Sequence, residues 1–380
     1  MTSSQESALH YPLGDTLPGP AQTLEVAPGV KWIRMTLPFA LDHINLWLLR
    51  DRQTDLHGQV REGWTVIDCC VNRTEAREQW EQIFASALED LPILRVIVTH
   101  MHPDHIGLAG WLCHQWNAPL WISATDYNVA RVAMKDRDGF GGESGADFYS
   151  LHGQRDEEFL LHVRGRGSYY SSLVAPIPDI YHRIMDGDEI DINGRTWQCI
   201  AGYGHAPEHM ALYCAELETL ISGDMVLPRI SANVSVHSSE PEANPLQLFL
   251  TSLKRYFALP QNTYVLPSHG KPFTGLHVRV QQLLDHHQER LNDIMQASQL
   301  QGLSAADILP ILFKRQLDTH QMTFAMGEAL AHLHYLWFSR QLTRRLDENG
   351  ILRFYAPNMQ RAPSFMFQYF ANGALLVSKQ

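Results

Sequence analysis

Three imidazoles and a carboxylate fall within six residues, at His100, His102, Asp104 and His105. Packing does not account for such a cluster, because each side chain would need its own buried partner or open solvent. Metal ions satisfy all four at once. His100 and His102 are two apart, so on an extended segment they point the same way and can grip one ion. Asp104 and His105 follow Pro103, which turns the chain and removes a donor, and they can face a neighbouring ion. Imidazole combined with carboxylate suits zinc first, with manganese or iron next.

The cluster needs an element to carry it, and the apolar run over 93–98 reads as a buried strand that ends just before it. Open α/β sheets bind their ligands at that carboxyl end. The pattern over 108–116 predicts a helix whose N-terminus faces the site and favours anions there. Further strands are expected over 30–35, 44–49, 64–68, 119–123, 210–213, 219–222 and 264–266, and a helix over 74–87. Asn193-Gly194 joins two alternating runs as a hairpin, and that hairpin leads to Gly204-His205. Residues 128–181 exceed what strand-helix alternation requires, and read as an inserted helical cap with glycine hinges at Gly139, Gly141, Gly142 and Gly145. From about 276 the texture turns helical, with Ser304 to Asp307 as a capping box. A hairpin through Asn349-Gly350 closes it.

At this point the chain resembles a known family. His100-Met101-His102-Pro103-Asp104-His105 at a strand end is similar to the HxHxDH signature of the metallo-β-lactamase superfamily. Gly204-His205, Ser222-Gly223-Asp224 and Ser268-His269-Gly270 resemble, in the same order, the segments that carry its other ligands. The resemblance implies one site of His100, His102 and His205 and another of Asp104, His105 and His269, with Asp224 bridging. It implies an α/β fold, a four-layer αββα sandwich with the metals at one edge, and a helical C-terminal domain. Three helices and a hairpin resemble the winged-helix-like module of several superfamily hydrolases. The expected division is therefore 1–275 for the catalytic domain, with the insertion at about 128–181, and 276–380 for the module. Phe39 and His43 become candidate pocket walls, as does His237, and Asp68 a candidate acceptor behind a ligand imidazole. Cys69-Cys70 departs from the family pattern, in which that aspartate is followed by a small residue and then glycine.

Two divalent ions about 3.5 to 4 Å apart hold a bridging water and lower its pKa until hydroxide is available at neutral pH. Asp104 and Asp224 would move the proton. The expected activity is hydrolysis of an acyl bond, a thioester such as an acyl-CoA or an ester or lactone. Phosphodiester cleavage and a non-catalytic metal sensor are the alternatives. Lys and Arg number 30 against 41 Asp and Glu, a net charge of -11, so nothing draws the chain to polyanions. Arg164 and Arg166 make a small basic patch that could meet an anionic substrate. No run approaches bilayer length and the N-terminus lacks a basic start with an apolar core, so a cytoplasmic protein with a small-molecule substrate is expected. Five cysteines without regular spacing agree with that compartment. Residues 365–370, rich in aromatics, suggest a core or interface strand, and the C-terminal module suits a homodimer contact.

Overall fold

The computed structural model describes residues 8–54, 57–135, 141–357, 365–369 and 375–379. Seven strands form the first sheet in chain order: β1 (Thr23–Ala27), β2 (Val30–Thr36), β3 (His43–Thr54), β4 (Val60–Ile67), β5 (Ile93–Ile97), β6 (Leu120–Ile122) and β7 (His182–Arg183). Pairing is antiparallel from β1 to β4 and parallel from β4 to β7. β5 is buried at every position, including Arg95 in the middle of its apolar run, as befits a parallel strand covered on both faces.

The second sheet runs in the order β12, β11, β10, β9, β8, from β8 (Glu189–Ile192), β9 (Arg195–Gly202), β10 (His209–Cys214), β11 (Thr219–Gly223) and β12 (Tyr264–Pro267). Here β8 alternates exposed and buried residues, and Asn193 and Gly194 both take positive φ in the tight turn to β9. One cluster of buried side chains joins the sheets face to face, with Trp32, Trp47 and Ile97 from the first and Trp197, Met210, Ile221 and Leu266 from the second. A buried ion pair at the sheet interior, Arg95 with Asp51 at 2.8 Å, also takes in the Thr65 hydroxyl and the Asn193 amide.

Helices flank the sheets. In chain order, the helices up to residue 255 are α1 (Thr74–Ser86), α2 (Pro103–Ile106), α3 (Ala109–Trp116), α4 (Ala124–Lys135), α5 (Gly142–Leu151), α6 (Glu157–Arg164), α7 (Tyr169–Leu173) and α8 (Pro245–Arg255), of which α5 and α6 lie outside the unit that holds the sheets. α1 buries Ala76, Trp80 and Ile83 along one stripe, and the Trp80 indole donates to the Cys69 carbonyl. The chain then continues through α9 (Leu276–Ser298), α10 (Ala305–Leu312), α11 (Thr319–Phe338) and the hairpin of β13 (Thr343–Leu346) and β14 (Leu352–Tyr355). Ser304 and Asp307 form the expected capping box, and Pro310 lies inside the short α10. A last hairpin pairs β15 (Phe365–Tyr369) with β16 (Leu375–Lys379).

The protein is thus a mixed α/β fold of two sheets flanked by helices, with a helical C-terminal region. Two compact units can be separated: residues 1–137, 168–232 and 248–284 in one, and 138–167, 233–247 and 285–380 in the other. Both sheets belong to the first. Of the expected glycine hinges, Gly139 lies outside the described residues, and the segment after it is helical in α5, α6 and α7. Arg164 pairs with Glu143 and Arg166 donates to the Thr323 hydroxyl, all within the second unit. No helix among the described residues is long and apolar enough to cross a membrane.

Candidate metal centre

β5 delivers Thr99 and His100 to the edge of the first sheet, and α2 begins at once. His102 is its N-cap and Pro103 its first residue, where a missing N–H costs nothing. The stretch after Pro103, expected as a turn, is therefore one turn of helix that sets Asp104 and His105 side by side. His205 enters from the loop between β9 and β10, Asp224 follows β11, and His269 follows β12. Each sheet thus supplies part of the set, and all seven side chains lie in the first unit.

The donor atoms converge in two trios. His100 Nε2, His102 Nδ1 and His205 Nε2 form a closed triangle with sides of 2.9, 3.1 and 3.2 Å. A neutral imidazole has one N–H and one lone pair, so three nitrogens cannot all hydrogen-bond to each other around a triangle. Ligands about 2.0 to 2.1 Å from a tetrahedral zinc stand about 3.3 Å apart, which matches this spacing. In the second trio, Asp104 Oδ2 lies 3.5 Å from His105 Nε2 and 3.4 Å from His269 Nε2. Asp224 spans both: Oδ2 is 3.2 Å from His205, while Oδ1 is 3.5 Å from His105 and 3.5 Å from His269. His105 Nε2 and Asp224 Oδ1 are buried without a hydrogen-bond partner, which a cation would supply.

His100 and His102 are in the neutral form that cation binding needs, whereas His105 must release a proton to a bound ion. Burial, with the neighbouring imidazoles, drives His100 and His102 well below the ordinary histidine value, so both keep free lone pairs at neutral pH. Burial works against charge on Asp104, yet His105 and His269 hold it down at about 2. Burial likewise opposes a charged His105, and the carboxylates of Asp104, Asp68 and Asp224 outweigh it and raise that imidazole. Three overlapping groups of these residues are close enough to hold a cation: His100, His102 and His205; His100, His105 and Asp224; and Asp104, His105 and His269.

A ring of other groups aims the ligands. Asp68 accepts from His105 Nδ1 at 2.7 Å and from the Thr99 amide and hydroxyl, each at 2.8 Å. The turn after β4 forms without glycine, with Asp68 and Cys70 themselves at positive φ. Its strain is held by Cys69 N–H donating to the His105 carbonyl and Leu108 N–H to that of Cys70. His43 braces the His269 loop: its carbonyl accepts from His269 Nδ1 at 2.7 Å, and its Nε2 accepts from Gly270 N–H at 2.8 Å. Asn45 donates to the carbonyls of Pro267 and Gly270 on the same loop. His209 Nε2 accepts from the Asp224 amide, and its ring fills the space that a Cβ on Gly223 would take, 2.0 Å away. Phe39 is half-buried in the loop between β2 and β3, and His237 is exposed in the second unit.

Three residues that spacing alone did not single out hydrogen-bond to backbone next to the ligands: Asp126 and Tyr170 at Met101, and His209 at Asp224. A Ser-x-x-Asp start to α4 marks Asp126 as a helix cap, and nothing local marks the other two.

Comparison with known proteins agrees with this geometry. Residues 58–269 match the model of the metallo-beta-lactamase superfamily, and residues 291–357 that of a metallo-beta-lactamase-like C-terminal domain. The latter does not support the winged-helix label for the C-terminal region. A beta-lactamase domain protein from Burkholderia ambifaria has a solved structure 49% identical, with a TM-score of 0.87, over 93% of this chain and 100% of that one. A probable metallo-hydrolase of Bacillus subtilis (strain 168) is 25% identical over 84% of this chain and 95% of its own. More distantly, an atrochrysone carboxyl ACP thioesterase of Aspergillus fumigatus is 23% identical over 60% of this chain and 55% of its own. With the ligand turn, both sheets and the matched span in agreement, the chain belongs to the metallo-beta-lactamase superfamily.

Proposed function

We propose that the protein is a binuclear metallo-hydrolase that cleaves an acyl bond, with thioesters first among its substrates and esters or lactones next. The observation that carries this is Asp224, whose two carboxylate oxygens face different trios. His100, His102 and His205 would hold one ion, Asp104, His105 and His269 the other, and Asp224 both, with zinc the first choice of metal and iron or manganese the next. Such a pair of ions, when bound, supplies Lewis acidity and a water acidic enough to ionise near neutral pH. Asp104 and Asp224 are ionised at neutral pH and are the chain's proton acceptors at the site.

The thioester preference draws support from the thioesterase relative, which is distant, and from the acidic balance of the chain, which disfavours nucleic acid. The same proposal covers a cytoplasmic, homodimeric enzyme with its catalytic domain in 1–275. Its test is a panel of thioesters, lactones, esters and phosphodiesters with protein of measured metal content, run beside Asp104→Asn. The parent should turn over a thioester and the variant should lose at least about 100-fold in kcat while keeping its fold. Phosphodiester turnover without acyl hydrolysis, or parental activity in the variant, would overturn it.

A further inference from the structure

Met101 separates the two ligands His100 and His102, and its peptide groups are gripped from both sides. Its N–H donates to Asp126 Oδ1 at 2.8 Å, and its carbonyl accepts from the Tyr170 hydroxyl at 2.6 Å. The other oxygen of Asp126 accepts from the Glu208 amide at 2.6 Å, three residues beyond His205. Asp126 is fully buried and Tyr170 nearly so. A helix cap would spend its oxygens on its own first turn. Asp126 instead reaches chain segments 25 and 82 residues away, while Ser123 anchors it with contacts of 3.3 Å.

The consequence is geometric. The triangle of His100, His102 and His205 is built from two loops, and its sides depend on how those loops are placed against each other. One carboxylate fixes that placement, because it receives an N–H from each loop. Tyr170 removes the remaining freedom by holding the Met101 carbonyl, so the peptides that aim His100 and His102 cannot swing. Both residues act here through backbone groups.

We propose that Asp126 and Tyr170 are positioning residues which set the His100–His102–His205 trio and leave the Asp104–His105–His269 trio largely untouched. The inference rests on the reading of the two trios as a two-metal site. An asparagine at 126 keeps one acceptor and turns an NH2 group toward the second N–H, so Asp126→Asn disconnects one loop while preserving volume. Tyr170→Phe removes only a hydroxyl and leaves the ring in place.

The test measures stepwise zinc dissociation constants on the full-length chain, stripped and reloaded, by competition with a chromophoric chelator. His205→Ala identifies which step belongs to the first trio. Asp126→Asn should weaken that step by about 10- to 100-fold, and Tyr170→Phe by several-fold, with the other step unchanged. Exchange of the Met101 and Glu208 amides in the metal-free protein should quicken in Asp126→Asn. Equal weakening of both steps would mark a general loss of stability and overturn the proposal, as would parental constants in both variants. If Asp126→Asn fails to fold, Tyr170→Phe decides alone. A parent chain that binds no zinc would instead overturn the metal reading itself.

Discussion

Replacing Asp68 by asparagine tests the opposite half of the site. Its Oδ2 accepts from His105 Nδ1 at 2.7 Å and from the Thr99 hydroxyl at 2.8 Å, while Oδ1 accepts from the Thr99 amide at 2.8 Å. When an ion displaces one proton from His105, the Asp68 carboxylate keeps the other on Nδ1, so that Nε2 is the nitrogen freed toward Asp104 and Asp224. An amide oriented to keep the Thr99 bond sets its NH2 against His105 Nδ1. The ring must then move its proton to Nε2, the atom that would bind the ion. Flipping the amide rescues His105 and instead sets two donors against each other at the buried Thr99 N–H. Either arrangement weakens metal binding by about 10- to 100-fold, or about 1.4 to 2.7 kcal/mol. Chelator competition should show the loss in the Asp104–His105–His269 step, and calorimetric melting in excess chelator should show a drop of about 1.5 to 3 kcal/mol for the lost charged hydrogen bonds. A variant that keeps both ions at parental affinity would refute the tautomer argument.

Other perturbations have equally definite outcomes. Gly223→Ala places a methyl 2.0 Å from His209 Nε2 at a φ of 52°, so urea unfolding should show a loss of about 2 to 4 kcal/mol from overpacking and left-handed strain. Arg95→Met leaves the buried Asp51 carboxylate without its cation and should cost about 3 to 5 kcal/mol by the same measurement. Burial lowers His332 and His334 from 6.5 to about 4, so the unfolded chain binds protons first as pH falls. Their contribution to stability is complete above pH 6.5 and is lost between 6.5 and about 4, by up to about 3 kcal/mol for each. Urea midpoints at pH 7 and pH 4.5 should differ accordingly, and equal midpoints would contradict it.

The ligand turn was legible because four donors share six residues at the end of an apolar strand, a local pattern with a single chemical explanation. Asp224 and His269 were legible only through family resemblance, since a lone Asp after Gly or a lone His before Gly carries no spacing of its own. Asp126 and Tyr170 escaped for a different reason. Their partners are backbone groups, which every residue possesses, so no side-chain pattern marks the contact. Cys70 shows the converse: it departs from the glycine of the family pattern and nonetheless takes a positive φ, in a turn held by hydrogen bonds from Cys69 and Leu108. Strand positions were readable from hydrophobic runs, though not their order in the sheets, whereas the helix at Pro103–Ile106 was hidden in a stretch that chemistry had already claimed.

Because donors come from the ends of β5, β11 and β12, bound ions would act as rivets across the seam between the two sheets. Cohesion at that edge would then depend on ion supply: at a thousand times the dissociation constant, occupancy of one site adds about 4 kcal/mol that vanishes on chelation. Metal scarcity would therefore threaten the persistence of the folded chain as well as its chemistry.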